Sequence, residues 1–259
     1  MTILEQLAKH AEIRVKNARQ NMSLDEISSK AYALPKGNFA FEKALESPGM
    51  SFICECKKAS PSKGIIALDF PYLDIAKEYE EAGADCISVL TEPKWFLGKD
   101  EYLKEIAQAV SIPCLRKDFI VDPYMIYEAK LLGASAVLLI CSLLSEAKLK
   151  SYIGICEELG LSALVEAHDE EEIKKAQEAG ARVVGVNNRN LKDFTINTDN
   201  SRRLRELVPP HISFVSESGI KDAGDMKVLR EIGVDAVLIG EALMRAEDKK
   251  SMLSQMRGV

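Results

Sequence analysis

The sequence has one tryptophan, three histidines and no apolar run that could cross a membrane. The longest such run, Ala134–Leu144, is interrupted by Ser135, Cys141 and Ser142 and falls well short of the ~18 residues a spanning helix needs. No membrane association is expected. Residues 1–20 alternate charged and apolar side chains without a secretory core or cleavage site, and predict an amphipathic helix. The chain has no Gly-x-Gly-x-x-Gly fingerprint, which removes the usual sequence signature of a dinucleotide fold. It also lacks an excess of cations: 34 Lys and Arg stand against 40 Asp and Glu, a net charge of −6. That excludes a general nucleic-acid binder, which needs a basic surface, but leaves room for a local cationic pocket. Cys54 and Cys56 have no Cys or His cluster nearby to complete a metal site, so neither a metal nor a cofactor is expected. The six cysteines read as small buried hydrophobes, and reduced thiols suit a cytoplasmic protein.

What the chain does have is the composition of a globular protein, 47% apolar and 29% charged, which carries no signature of disorder. After an N-terminal helical extension over residues 1–48, short apolar strands alternate with amphipathic helices through eight rounds. The predicted strands are Phe52–Lys57, Cys86–Leu90, Cys114–Lys117, Ala136–Ile140, Ser162–Glu166, Val183–Asn187, Ser213–Glu217 and Ala236–Gly240. Four related segments, EAGADCISVL, LLGASAVLLI, EAGARVVGV and EIGVDAVLIG, each read as a helix stopped by glycine, a turn and a buried strand. Eight such units predict an α/β fold, a single (β/α)8 TIM barrel over 1–259 that includes the extension.

In such a barrel the active site lies at the C-terminal ends of the strands. Glu55 and Lys57 end the first strand, Lys117 the third, Glu166 the fifth, Asn187 (followed by Arg189) the sixth and Glu217 the seventh. Side-chain alternation puts Glu166, Asn187 and Glu217 on the same face as Leu164, Gly185 and Val215. Strand ends often carry polar residues simply because they reach solvent, but agreement among five strands points to one shared mouth. Ser218-Gly219 after the seventh strand and Gly240-Glu241 after the eighth occupy the loops that bind phosphate in many barrels. His10, on the N-terminal helix, His168, at a helix start, and His211, ahead of a strand, are expected away from the mouth. Asp169–Glu172 reads as a helix N-terminus, and the Trp95-Phe96 loop as either a ligand wall or a loop packed on its own barrel.

The segments ECKKASPSKG, PCLRKDFIVDPYMIYEA, LVEAHD, VGVNNRNL, SESGI and LIGEALMR, in this order, resemble indole-3-glycerol phosphate synthases over nearly the whole chain. The resemblance implies closure of 1-(2-carboxyphenylamino)-1-deoxyribulose 5-phosphate to indole-3-glycerol phosphate. It implies Lys117 as general acid, Glu166 stabilising positive charge and aiding proton transfer, and Glu55 with Lys57 in the dehydration. Asn187, Arg189 and Glu217, beside Ser218, are then expected to hold the substrate, with phosphate on Lys57, Ser60 and the backbone of Gly219, Gly240 and Glu241. Phe119 and the Trp95 loop are expected to wall the anthranilate ring. Because a general acid works best near the ambient pH, Lys117 is expected to titrate low. A single-function protein is expected, monomeric or weakly self-associating, with a phosphosugar substrate and no obligate partner. Two other readings of the residues are a Schiff-base aldolase using Lys57 or Lys117 as nucleophile and a non-catalytic phosphosugar-binding barrel.

Overall fold

A computed structural model describes residues 1–190 and 194–258; Leu191, the last residue of the VGVNNRNL segment, and Val259 lie outside these. Eight parallel strands close into a barrel: β1 Ser51–Cys56, β2 Cys86–Leu90, β3 Cys114–Lys117, β4 Ala136–Ile140, β5 Ser162–Ala167, β6 Val183–Asn187, β7 Ser213–Glu217 and β8 Ala236–Ile239. Each pairs with its neighbour in sequence, and β1 closes the ring by pairing Ser51 with Ala236 and Cys54 with Ile239 of β8. The (β/α)8 expectation holds with small shifts at strand ends. Lys57 falls one residue past β1, and Gly240 belongs to a helix start.

Alternation sorts each strand between two cores. Ile53, Cys86, Leu115, Leu138, Leu164, Val183, Val215 and Leu238 point inward and fill the barrel. Phe52, Cys54, Cys56, Ile87, Val137 and Val237 point outward into the helical layer. Cys54 and Cys56 therefore face away from the mouth, and burial pushes both thiols well above their ordinary range.

Twelve helices occur among the described residues. Three precede the barrel: α1 Ile3–Asn21, α2 Leu24–Ala33 and α3 Ala40–Leu45. Capping boxes, Thr2 with Glu5 and Ser23 with Glu26, start the first two by satisfying backbone N–H groups reciprocally. Phe41 and Leu45 of α3 enter the inner core, while Ser51 Oγ donates to the Ala44 carbonyl and the Glu42 amide to Ser162 Oγ. Since Ser51 and Ser162 begin their strands, α3 stoppers the end opposite the mouth. The other helices are α4 Tyr72–Glu81, α5 Asp100–Ala109, α6 Tyr124–Leu131, α7 Glu146–Leu159, α8 Glu170–Glu178, α9 Asp199–Arg205, α10 Ala223–Glu231, α11 Glu241–Arg245 and α12 Lys249–Arg257. Gly83, Gly133, Gly180 and Gly233, the glycines of the four repeated segments, all have positive φ, the backbone state that ends a helix ahead of the next strand.

One outward-facing strand residue is charged. Arg116 of β3 is fully buried, with Nη2 2.7 Å from both Asp100 and Glu128, Nη1 donating to the Met125 carbonyl and Nε to Thr91 Oγ1. Next to it, Arg14 of α1 grips the buried Asp118 with two bonds, Nη1 to Oδ2 at 3.0 Å and Nη2 to Oδ1 at 2.7 Å. The extension is thus fastened to the residue that follows Lys117.

Candidate active site

The strand ends open into a cavity of about 560 Å³. Its lining brings together Glu55, Lys57, Ser60, Lys117, Phe119, Glu166, Asn187, Arg189, Glu217, Ser218, Gly219, Gly240 and Glu241, the strand-end and loop residues the sequence singled out. Leu138, Ile140 and Leu238 supply apolar surface from the barrel, and Phe96 and Phe119 lie with ring centroids 5.9 Å apart. Ile3 and Leu7 of α1 complete the wall. Sequence periodicity placed those two only on an amphipathic helix, because nothing local says where that helix docks.

The polar groups interlock. Lys117 Nζ is 3.1 Å from Glu217 Oε2 and 3.4 Å from Glu166 Oε2, and Asn187 Nδ2 donates to that same Glu166 oxygen at 3.3 Å. Lys57 Nζ lies 2.5 Å from Glu55 Oε1. Two glycines make room for these carboxylates. A Cβ on Gly185 would sit 2.2 Å from Glu217 Oε1, and one on Gly240 would sit 2.4 Å from Glu55 Oε1 and 2.9 Å from Lys57 Nζ.

The charge states differ from the sequence expectation. Burial disfavours the charged form of Lys117, but Glu217, Glu166 and Glu55 outweigh it and raise its pKa above the ordinary lysine value. The expectation that Lys117 titrates low is overturned, because Glu217, Glu166 and Glu55 stabilise its charged form. Glu217 is displaced the other way from the usual carboxylate, up to about 7, because burial together with Glu166 and Glu55 outweighs Lys117.

The loop after β7 is strained. Ser218 has φ of 66°, in the left-handed region where a side chain is disfavoured, and Gly219 follows at 83°. Asn188, which the sequence reading passed over, braces this turn: its Nδ2 donates to the Ser218 carbonyl and Ser216 Oγ, while Oδ1 accepts from the backbone and hydroxyl of Ser201. The Arg189 amide donates to Asn187 Oδ1, and its guanidinium to the Phe194 carbonyl. Ser60 lies in a small hairpin formed by Ala59–Ser60 and Gly64–Ile65, and Glu241 contacts Lys63 and Arg245.

The Trp95 loop divides between the two readings: Phe96 lines the cavity, while the Trp95 ring lies outside the lining and packs edge-on against His10. One further expectation needs correction. The expected remoteness of all three histidines fails for His168, whose Nε2 lies 3.4 Å from Glu166 Oε1. His168 is two residues beyond Glu166, so continued strand alternation was the available signal. The helix start obscured it.

A family model for indole-3-glycerol phosphate synthase matches residues 4–256. The indole-3-glycerol phosphate synthase of Ruminiclostridium cellulolyticum is 60% identical over 257 residues, covering 99% of each chain. That of Lachnoclostridium phytofermentans is 51% identical over 245 residues, 95% of this chain and 90% of its own. Among solved structures, 3-hexulose-6-phosphate synthase from Salmonella typhimurium is 17% identical with a TM-score of 0.65, covering 81% of this chain and 97% of its own, a likeness of fold alone. The barrel, its converging mouth and identity along almost the entire length lead to one conclusion: the chain belongs to the indole-3-glycerol phosphate synthase family.

Proposed function

We propose that the mouth residues divide the work of this family's reaction, a carbon–carbon lyase step of tryptophan biosynthesis, around the ammonium of Lys117. In ring closure an aromatic carbon of 1-(2-carboxyphenylamino)-1-deoxyribulose 5-phosphate attacks the ketone carbon. Lys117 delivers a proton to the ketone oxygen, which becomes a hydroxyl. Loss of carbon dioxide restores the aromatic ring. The hydroxyl then leaves as water while a proton is removed elsewhere, a step assigned to Glu55 and Lys57. Glu166 stabilises the positive charge that develops and helps move protons. Asn187, Arg189 and Glu217, beside Ser218, hold the substrate. Its phosphate is assigned to Lys57, Ser60 and the backbone of Gly219, Gly240 and Glu241, and its aromatic ring to Phe119 and Phe96.

The observation that carries this reading is the contact of one ammonium, Lys117, with both Glu166 and Glu217 beside apolar walls. The same reading takes the protein as a monomer or a weak oligomer with no obligate partner, which its mass in solution would test. No helix among the described residues is long and apolar enough to cross a membrane, and the six free buried cysteines suit a reducing cytoplasm. The test is to supply the carboxyphenylamino deoxyribulose phosphate and follow indole fluorescence with carbon dioxide release. Folded protein that yields neither overturns the assignment, and a borohydride-trapped adduct on Lys57 or Lys117 would favour Schiff-base chemistry.

A further inference from the structure

His168 lies between the last residue of β5, Ala167, and the side-chain cap of α8, Asp169. Three contacts fix it. Its backbone N–H donates to Glu172 Oε2 at 2.8 Å, its Nδ1 lies 3.1 Å from that same oxygen, and its carbonyl accepts from Asn200 Nδ2 at 3.2 Å. The ring's other nitrogen, Nε2, is buried and directed at Glu166 Oε1, at 3.4 Å and outside good hydrogen-bond geometry. Glu166 consequently meets partners on two sides: Oε2 contacts Lys117 and Asn187 at the mouth, and Oε1 faces His168, a contact of charge alone, from outside the cavity lining.

Charge supports the same arrangement. Three buried carboxylates at the mouth, Glu55, Glu166 and Glu217, face two ammoniums, Lys57 and Lys117. Arg189 also lines the cavity, and an imidazolium at His168 adds a cation directly against Glu166 Oε1. Burial disfavours it, but the bond to Glu172 and the charges of Glu166, Glu172 and Glu217 win and raise the His168 pKa to about 9. The charged groups facing the ring are Glu166 from β5, Glu172 from α8 and, more distantly, Glu217 from β7, with Lys117 of β3 on the far side of Glu166.

We propose that His168 is a positioning residue for the family's reaction: oriented by Glu172, it holds Glu166 Oε1 from behind so that Oε2 stays with Lys117 and Asn187. This rests on the assignment of Glu166 to the chemistry. The expected effect of His168→Ala is a loss in kcat per folded molecule of about 10- to 100-fold, the usual scale for removing a residue that orients a site group, with KM changed less than about threefold. His168→Gln, which keeps a donor without the charge, should recover part of the loss. It should also lack the alkaline fall in kcat centred near pH 9 that the unaltered chain is expected to show. Wild-type kcat in His168→Ala, or equal losses in both variants with an unmoved alkaline limb, overturns the proposal.

A readout independent of turnover separates this from the Glu166 assignment. The His168 ring titration, followed by NMR, should move to lower pH in Glu166→Gln and in Glu172→Gln. An unmoved titration in Glu166→Gln overturns the proposal even in an active protein. A moved titration in a protein whose Glu166→Gln variant keeps full turnover leaves the contact and sinks the catalytic assignment on which the positioning role depends.

Discussion

Lys117 Nζ and Glu217 Oε2 are 3.1 Å apart, while the second oxygen of that carboxylate, Oε1, is buried with no hydrogen-bond partner. The two groups respond to burial in opposite ways. Lys117 has several carboxylates to offset its lost hydration, whereas Glu217 has one adjacent cation and two like charges. The group poised near neutrality is therefore the carboxyl, and Lys117 enters the reaction as a charged ammonium.

This sets a pH dependence. As pH falls through about 7, Glu217 takes up a proton and Lys117 loses a counter-charge, so kcat/KM should show an acid limb there. Glu217→Gln should lack that limb. The sign for stability is opposite to that of a salt-bridged acid. A folded pKa raised from 4.5 to about 7 gives a contribution that is fully present below 4.5 and lost as pH rises through about 7. Urea unfolding from pH 4.5 to 8 should therefore show a smaller loss of stability in Glu217→Gln than in the unaltered chain.

Lys117→Ala should lower kcat by about 10²- to 10⁴-fold, the scale of a general acid, while KM stays within severalfold. Single-turnover mixing with the carboxyphenylamino substrate measures it. Unchanged turnover would remove Lys117 from the chemistry.

Gly185→Ala and Gly240→Ala test whether two glycines serve the carboxylates beside them. The new Cβ would lie 2.2 Å from Glu217 Oε1 in the first case and 2.4 Å from Glu55 Oε1 in the second, so these side chains must move. Each substitution should cost about 1–3 kcal/mol, as overpacking does, and lower kcat more than that cost explains. Turnover measured alongside thermal unfolding separates the two effects; full activity in a destabilised variant would show that the carboxylate positions do not matter.

Arg14→Ala should leave Asp118 buried without its two-bond partner, although Thr91 Oγ1 and the Phe119 amide still donate to it. Loss of one member of a buried pair costs roughly 3–5 kcal/mol, and the retained donors place this case at the low end. Chemical denaturation is the measure, and a loss below ~1 kcal/mol would make the contact incidental.

How much of this was legible depended on range. Strands β2, β3, β4, β6 and β7 begin and end where the apolar pattern puts them, because alternation and glycine stops are local. The strand-end residues Lys117, Glu166, Asn187 and Glu217 were legible for the same reason, given the barrel. Leu7, Arg14 and Asp118 were not, since their meaning comes from a helix docking on strands far along the chain. The protonation of Lys117 was illegible in a stricter sense. Its sign depends on contacts of 3.1 and 3.4 Å, and those distances have no counterpart in residue order.

The Arg14–Asp118 contact joins residues 104 positions apart. During synthesis the first helix leaves the ribosome well before the strand segment it fastens has been made, and β1 must wait longer still for β8. The early segments can form as local structure, but the mouth of the barrel becomes a single object only when the last strand arrives. Nascent chains halted before β8 should therefore be inactive even though most of the residues assigned to the chemistry have already been translated.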